Sequence, residues 1–332
     1  MGIGSGLGSQ VGWSVESTYG TYVAPTSFSR FRSFTPTKTA TRVQGEGIAA
    51  GAFGPNLSHW VETTTGGQAT LAIDVQSKGM GKLFQALMGT SVTPVQQAAT
   101  TAYLQTHTLA DPYGKFLTMQ GSLPLRGGTP TPVNLLGTKI AGVDLSCSVD
   151  GLLQASFDLD SHAYENTTSL AAASYLATNV FHGAQMAVKL GTAGSESAVT
   201  AGVRNVSVSI KRPMSTDDVY AGASGLKAEP VLNAYADITG SVEADFTAVA
   251  DWHNRARDNS TTSLVWEFTG PLIASTYYET FRVTLPGIKF TDPSLQGVDG
   301  PDVLSNSYAF AWAYDGTNLP KVEIISTDAT LL

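Results

Sequence analysis

Residues 143 to 160 alternate between apolar and polar positions in two runs. Val143, Leu145, Cys147 and Val149 fall on one face, with Asp144, Ser146, Ser148 and Asp150 on the other. Past Gly151, the residues Leu153, Ala155, Phe157 and Leu159 oppose Gln154, Ser156, Asp158 and Asp160. A period of two is that of a half-buried strand, and Asp150-Gly151 is a dipeptide that turns hairpins. The pattern predicts a two-stranded ribbon whose apolar face covers a core. Its other face, of serines and carboxylates, looks at water, a metal, a cleft or an enclosed space.

Similar patterns flank the ribbon. A strand with Thr on alternate positions is expected from Phe31 to about Ile48, and another over Ala69, Leu71, Ile73 and Val75. Met80, Leu83, Phe84, Leu87 and Met88 then form one helical stripe, with Ser77 placed to cap its start and Gly89 to stop it. In the second half, 204–210 alternates as a strand. Val242, Ala244 and Phe246 form another that runs into a short helix marked by Val249, Trp252 and Ala256, with strands following. The order of elements repeats, and Gly67 ahead of the first strand–helix unit answers to Gly240 ahead of the second. The expected organisation is an N-terminal arm over 1–28, a first domain over 29–172 and a second over 173–332, joined within 164–180. The arm is rich in Gly, Ser and Thr but carries Trp13, Tyr19 and Tyr22, aromatics suited to docking on another subunit.

Composition narrows the function. Charged residues are only 14% of the chain and net charge is -8, which argues against a grip on nucleic-acid phosphates. A single cysteine excludes an internal disulfide framework, and Cys147 sits on an apolar strand face as a small buried hydrophobe. The opening MGIGSGLGSQ has neither a basic n-region nor an apolar h-region, so no signal peptide is expected and the chain is expected to stay soluble in the cytoplasm that makes it. No run approaches the length of a membrane span. The five histidines include no pair at metal-ligand spacing, and the nearest approach to a cluster is His162 beside Asp158 and Asp160. No Gly-x-Ser-x-Gly elbow occurs, and the glycine-rich opening follows no strand. Neither an enzyme nor a cofactor is expected.

Three stretches carry a resemblance. They are GWSVESTYGTYVAPTSFSRF near the start, GTKIAGVDLSCSVDGLLQASFDLD in the middle and GVDGPDVLSNSYAFAWAYD near the end. In this order they resemble the tail tube (major tail) proteins of long-tailed bacteriophages. Glu16, Thr18, Tyr19, Gly20, Thr21 and Pro25 stand where the family opening has its marked residues. Gly151-Leu152 stands at the family's ribbon turn, and Trp312, Tyr314 and Asp315-Gly316 at its closing strand. The resemblance implies two β-sandwich or barrel domains, each flanked by an α-helix, with inner sheets that join across subunits into a ring-wide β-barrel. It implies stacked rings, trimeric with pseudo-sixfold character in the preferred reading and hexameric in the second. The implied place is the virion tail, built in the host cytoplasm. The implied partners are other copies, the tape measure protein, phage DNA held without sequence specificity, and the tail terminator and baseplate proteins.

Under that resemblance the polar faces become lumen candidates: Asp144, Ser146, Ser148, Asp150, Gln154, Ser156, Asp158 and Asp160, with Glu243 and Asp245 in the second half and Glu267 on a comparable face. DNA carries one charge per about 1.7 Å of axis, so a basic lining would hold it, while serines and spaced carboxylates give no grip. An ordinary solvated strand face is the plainer alternative. Two other functions fit the composition. One is a secreted or surface β-sandwich binding carbohydrate through Trp252, Trp266 and Trp312, although Trp266 and Trp312 lie on apolar faces. The other is a capsid decoration protein.

Overall fold

The computed structural model describes residues 4–125, 127–199, 202–245, 252–292, 301 and 304–332, and in it the chain is mainly β. The first half holds β1 (Val11–Val15), β2 (Ser27–Ser29), β3 (Ser33–Gln44), β4 (Trp60–Asp74), β5 (Val95–Gln96), β6 (Tyr103–Thr108), β7 (Leu117–Leu123), β8 (Thr131–Ser148), β9 (Gln154–Ser161) and β10 (Ala163–Glu165). The second holds β11 (Met186–Thr192), β12 (Ser195–Ala198), β13 (Val203–Lys211), β14 (Met214–Ser215), β15 (Val231–Leu232), β16 (Asp237–Asp245), β17 (Thr262–Ala274), β18 (Tyr277–Phe290), β19 (Ser305–Trp312) and β20 (Lys321–Ser326). The α-helices are α1 (Gly81–Met88) and α2 (His253–Arg257). Phe246, Val249 and residues 297–300 and 302–303 of the closing stretch lie outside the described residues. Among those described, no helix is long and apolar enough to cross a membrane.

The ribbon forms as its alternation requires. β8 and β9 are antiparallel, with Val143 opposite Phe157, Asp144 opposite Ser156 and Leu145 opposite Ala155. Val149 departs from the pattern: it sits at the turn and is 56% exposed.

From this ribbon one antiparallel sheet extends both ways, in the order β3-β4-β9-β8-β13-β16-β19-β18. The second four strands repeat in space the order of the first four. Both sets end on a strand that bends out of the sheet at a glycine in the left-handed region, Gly137 (φ 58°) in β8 and Gly287 (φ 76°) in β18. Before its bend β8 pairs with β7 and β10, and β7 with β1. Before its own bend β18 pairs with β17 and β20, which continue to β11 and β6.

One hydrophobic cluster fills the space between these layers and draws on both halves. The halves expected on either side of residue 172 therefore share a core, as the β8–β13 and β6–β20 pairings require. Helix α1 lies in this core against β8, β6 and β20. Its Phe84 ring meets Phe157 of β9 at 5.8 Å and Phe281 of β18 at 5.4 Å. The helix ends at Gly89 (φ 93°) as expected, but begins at Gly81 without a side-chain cap. Ser77 is wholly buried and instead accepts the Asn179 amide at 3.2 Å. Arg212 caps the helix's other end, donating to the Met88 carbonyl at 3.3 Å. In the second half Trp252, ahead of α2, stacks on Tyr308 at 5.8 Å.

Candidate functional site

Register turns the polar positions of the central strands into continuous rows across the sheet. Gln154, Ser146, Ser207, Ser241 and Ala309 form one such row. Ser156, Asp144, Ser209, Thr239 and Ala311 form the next. Ser148, Asn205, Glu243 and Ser307 form a third, with Asp245 opposite Ser305 beyond it. Toward β3, Asp158 faces Thr70, which faces Thr35. Strands from both halves thus present one face of hydroxyls, amides and carboxylates, while Val143, Leu145, Val206, Val208, Val242 and Phe310 point into the core. The hydroxyls bond across strands, as between Ser207 and Ser241 at 2.8 Å.

Three of the carboxylates on this face are paired. The Lys211 ammonium stands between Asp144 at 3.0 Å and Asp158 at 2.8 Å. Burial works against its charge, but hydrogen bonds to Asp158 and Asp144 outweigh that and hold it above the ordinary lysine range. Asp144 also accepts the Ser209 hydroxyl at 2.6 Å, and Asp245 pairs with Arg204 at 2.7 Å. The spaced carboxylates expected here are therefore partly neutralised, two cations standing against Asp144, Asp158 and Asp245. Lys211 and Arg204, which do this, were not anticipated because β13 lies far along the chain from the ribbon.

Three expectations for this face change. Asp160 is buried and paired with Lys227 at 2.7 Å, and burial is the main cause that raises its carboxyl above the usual range. Glu267 lies away from this face, on β17, where it meets Arg282 at 2.6 Å and Lys189 at 3.3 Å, and Arg282 continues to Glu323 at 3.3 Å. Asp150 sits exposed at the ribbon's turn, at the end of the face. Trp252 and Trp266 are 1% and 0% exposed, so the carbohydrate reading loses two of its three aromatics. Among the described residues no group of His, Cys, Asp and Glu stands together to hold a metal. The His162 ring donates to the Lys227 carbonyl and lies against Tyr19.

At its outer side the sheet ends in an open edge. β3 pairs with β4 along its length, and no strand among the described residues covers its other side. Twelve residues of open strand, with Thr on alternate positions, form a template for pairing with another chain.

The N-terminal segment is built into its own chain, contrary to the expected arm. β1 pairs with β2 and β7, and Trp13 is wholly buried. Glu16, also buried, accepts the Thr118 hydroxyl at 2.7 Å, the Gly137 amide at 2.8 Å and the Gly20 amide at 2.9 Å. Burial raises its carboxyl above the usual range, against the pull of those bonds. The Tyr19 ring packs edge-on against Phe116 at 5.2 Å and its hydroxyl donates to the Ala228 carbonyl at 3.1 Å. Tyr22 accepts from Gln120 at 3.1 Å. The opening motif thus clamps the bend of β8.

A segment of the second half covers the same bend. Residues 212–236, between β13 and β16, run back over the first half. There Glu229 pairs with the wholly buried Lys139, whose ammonium also donates to the Pro112 carbonyl at 2.8 Å and lies 5.5 Å from the Phe116 ring.

The sheet thus combines a repeated strand order, a polar face, an open edge and a core shared by both halves. No curated protein matches the chain. A family model described as phage tail tube protein matches residues 6–311, nearly the whole of the sheet just described, and the chain belongs to that family.

Proposed function

We propose that copies of this chain close into rings whose central sheets join into one β-barrel, and that the rings stack into the tube through which phage DNA leaves the capsid. Membership of the family makes the chain a structural component of the phage tail; the ring, its symmetry and its cargo are our reading. The observation that carries it is the sheet order β3-β4-β9-β8-β13-β16-β19-β18. Within one chain, β8 of the first four-strand set pairs with β13 of the second. Repeating that step from chain to chain covers the open β3 edge and leaves none, as a closed barrel requires. Two sets per chain favour a trimer of pseudo-sixfold character over a hexamer.

The polar face then lines the bore. With Asp144 and Asp158 sharing Lys211 and Asp245 bridged to Arg204, it is polar and only mildly acidic, neither gripping the duplex nor strongly repelling it. The tape measure protein would occupy the same bore before DNA, and terminator and baseplate proteins would meet the tube's ends. Purified protein, polymerised and viewed end-on by electron microscopy, tests the reading. Hollow rings with six lobes are expected, and solid aggregates or open sheets without a bore would refute it.

A further inference from the structure

The duplicated sheet carries an insertion at the same place in each half. Residues 45–59 join β3 to β4, the first two strands of the first set, and residues 212–236 join β13 to β16, the first two of the second. The second insertion folds back over the half that precedes it. Its Lys227 meets Asp160 at 2.7 Å, its Glu229 meets Lys139, and its Gly225 carbonyl accepts the Thr65 amide at 2.8 Å. It covers the bend of β8, where Lys139 stands opposite Asp160 just past Gly137.

The matching place in the second half is the bend of β18, where Lys289 stands opposite Ala311 just past Gly287. Among the described residues its surroundings stay open. Tyr314 is 57% exposed and Leu319 40% exposed, and Trp312 is half-buried beside them. Where the first bend offers a buried carboxylate to its cover, this one offers alanine and aromatics.

The first insertion is the piece without a seat. It stands off the sheet with Ile48 and Phe53 fully exposed (101% and 105%) and Leu57 83% exposed. Exposed apolar side chains gathered on one segment mark a surface that becomes covered. Glu46 is its only charged residue between 45 and 58, as Glu229 faces Lys139 in the insertion of the second half. The half that would precede this insertion in the sheet is not in its own chain. In a closed ring it is the second half of the neighbouring copy.

We propose that the 45–59 arm of each copy lies across the β18 bend of its neighbour in the same ring. Ile48 and Phe53 cover Tyr314 and Leu319, and Glu46 is set against Lys289. The inference rests on the ring reading above. It assigns the arm a lateral partner, another copy of this chain, and makes the clasp between copies mostly apolar, with one ion pair, where the clasp within a copy is ionic.

The test uses the full chain with Cys147→Ser, which removes its only cysteine. Phe53→Cys and Tyr314→Cys are added together, the protein is assembled, and it is then oxidised. A ladder of disulfide-linked oligomers ending at one closed ring is expected. The ladder should be absent when Phe53→Cys is combined instead with Tyr278→Cys, which lies at the start of β18, at the far end of that strand from the Gly287 bend. Linkage to Tyr278→Cys and not to Tyr314→Cys would overturn the clasp and seat the arm at the other end of β18. As a second measurement, Glu46→Lys should lower ring yield and Lys289→Glu should restore it, while failure of the charge swap to restore would count against the pairing. Rings that form without any ladder overturn the clasp alone. A wild-type chain that forms no rings overturns the ring, and the clasp with it.

Discussion

Glu16 and Gly137 stand 121 residues apart in the chain and are joined at a carboxylate oxygen that accepts the Gly137 amide at 2.8 Å. Gly137 bends β8, and a Cβ at that position would lie 2.7 Å from the Tyr19 ring. The bend, its glycine and the opening motif are one structural unit. Glu16→Ala would leave the Gly137 amide and the Thr118 hydroxyl without an acceptor in a dry site. That should destabilise the monomer by roughly 1–3 kcal/mol, seen as a lower urea midpoint. Glu16→Gln keeps one acceptor and should lose less. Equal midpoints for wild type and Glu16→Ala would show that the clamp is not structural.

Lys139 and Glu229 tie the second half's insertion to the first half. Lys139 is wholly buried and Glu229 is 13% exposed, and burial lowers the Lys139 ammonium below the usual lysine range. Removing one partner strands the other charge, so Glu229→Leu or Lys139→Met should each destabilise by roughly 3–5 kcal/mol. The pair Lys139→Met with Glu229→Leu should lose less than the sum of the two. A double-mutant cycle in urea checks this, and strictly additive losses would show that the two groups do not act as a pair.

The parts of this fold that were legible are those whose signal is local. The β8–β9 ribbon is written in a period of two and a turn dipeptide, and α1 in a stripe of five side chains ending on Gly89. The expected lumen face was legible as a face, because register carries the alternation from strand to strand. Its charge was not, because Lys211 is 67 residues from Asp144 and 53 from Asp158. Asp160 keeps the phase of that face, and phase does not reveal that Lys227 comes to cover it. Ser77 has the chemistry of a cap, but the Asn179 amide claims it. Trp13 was read from the composition of its surroundings, although Val11 and Trp13 already alternate as a strand and prove to be core. Glu16 in a polar stretch reads as a surface residue until the strand it clamps is in place.

His107 gives the monomer an acid sensitivity of known sign. It is wholly buried on β6 beside Phe84, its ring 6.2 Å from that ring, and burial pushes its pKa down to about 4 from 6.5. The unfolded chain therefore binds a proton there below about pH 6.5 that the folded chain refuses until about pH 4. Stability contributed by neutral His107 is present above 6.5 and is lost as pH falls across that window, by roughly 3 kcal/mol in all. Glu16, Asp160 and Asp328, raised chiefly by burial, act in the opposite sense, so the difference between wild type and His107→Leu isolates the histidine. Melting temperatures at pH 7.5, 5.5 and 4.5 should show wild type losing ground to the variant as pH falls. A constant difference would mean that His107 does not titrate in this range.

The charge of the polar face can be set without disturbing the fold. Asp144 and Asp158 are about half exposed, with side-chain exposures of 54% and 46%, and exposed pairs contribute about 0–1 kcal/mol to stability. Replacing both by lysine beside Lys211 should therefore leave the monomer's melting and the appearance of its tubes nearly unchanged. Where the face lines the bore, the same change replaces one cation shared by two carboxylates with three adjacent cations, and each copy of the chain repeats it. Phosphate contacts formed by counterion release strengthen as salt is lowered, so DNA ejection from phage carrying Asp144→Lys and Asp158→Lys should slow, and slow most at low ionic strength. Lys211→Met makes the face more acidic and should not retard ejection at any salt. If the double lysine variant assembles normally and releases DNA at the wild-type rate in low salt, the face does not line the path of the DNA.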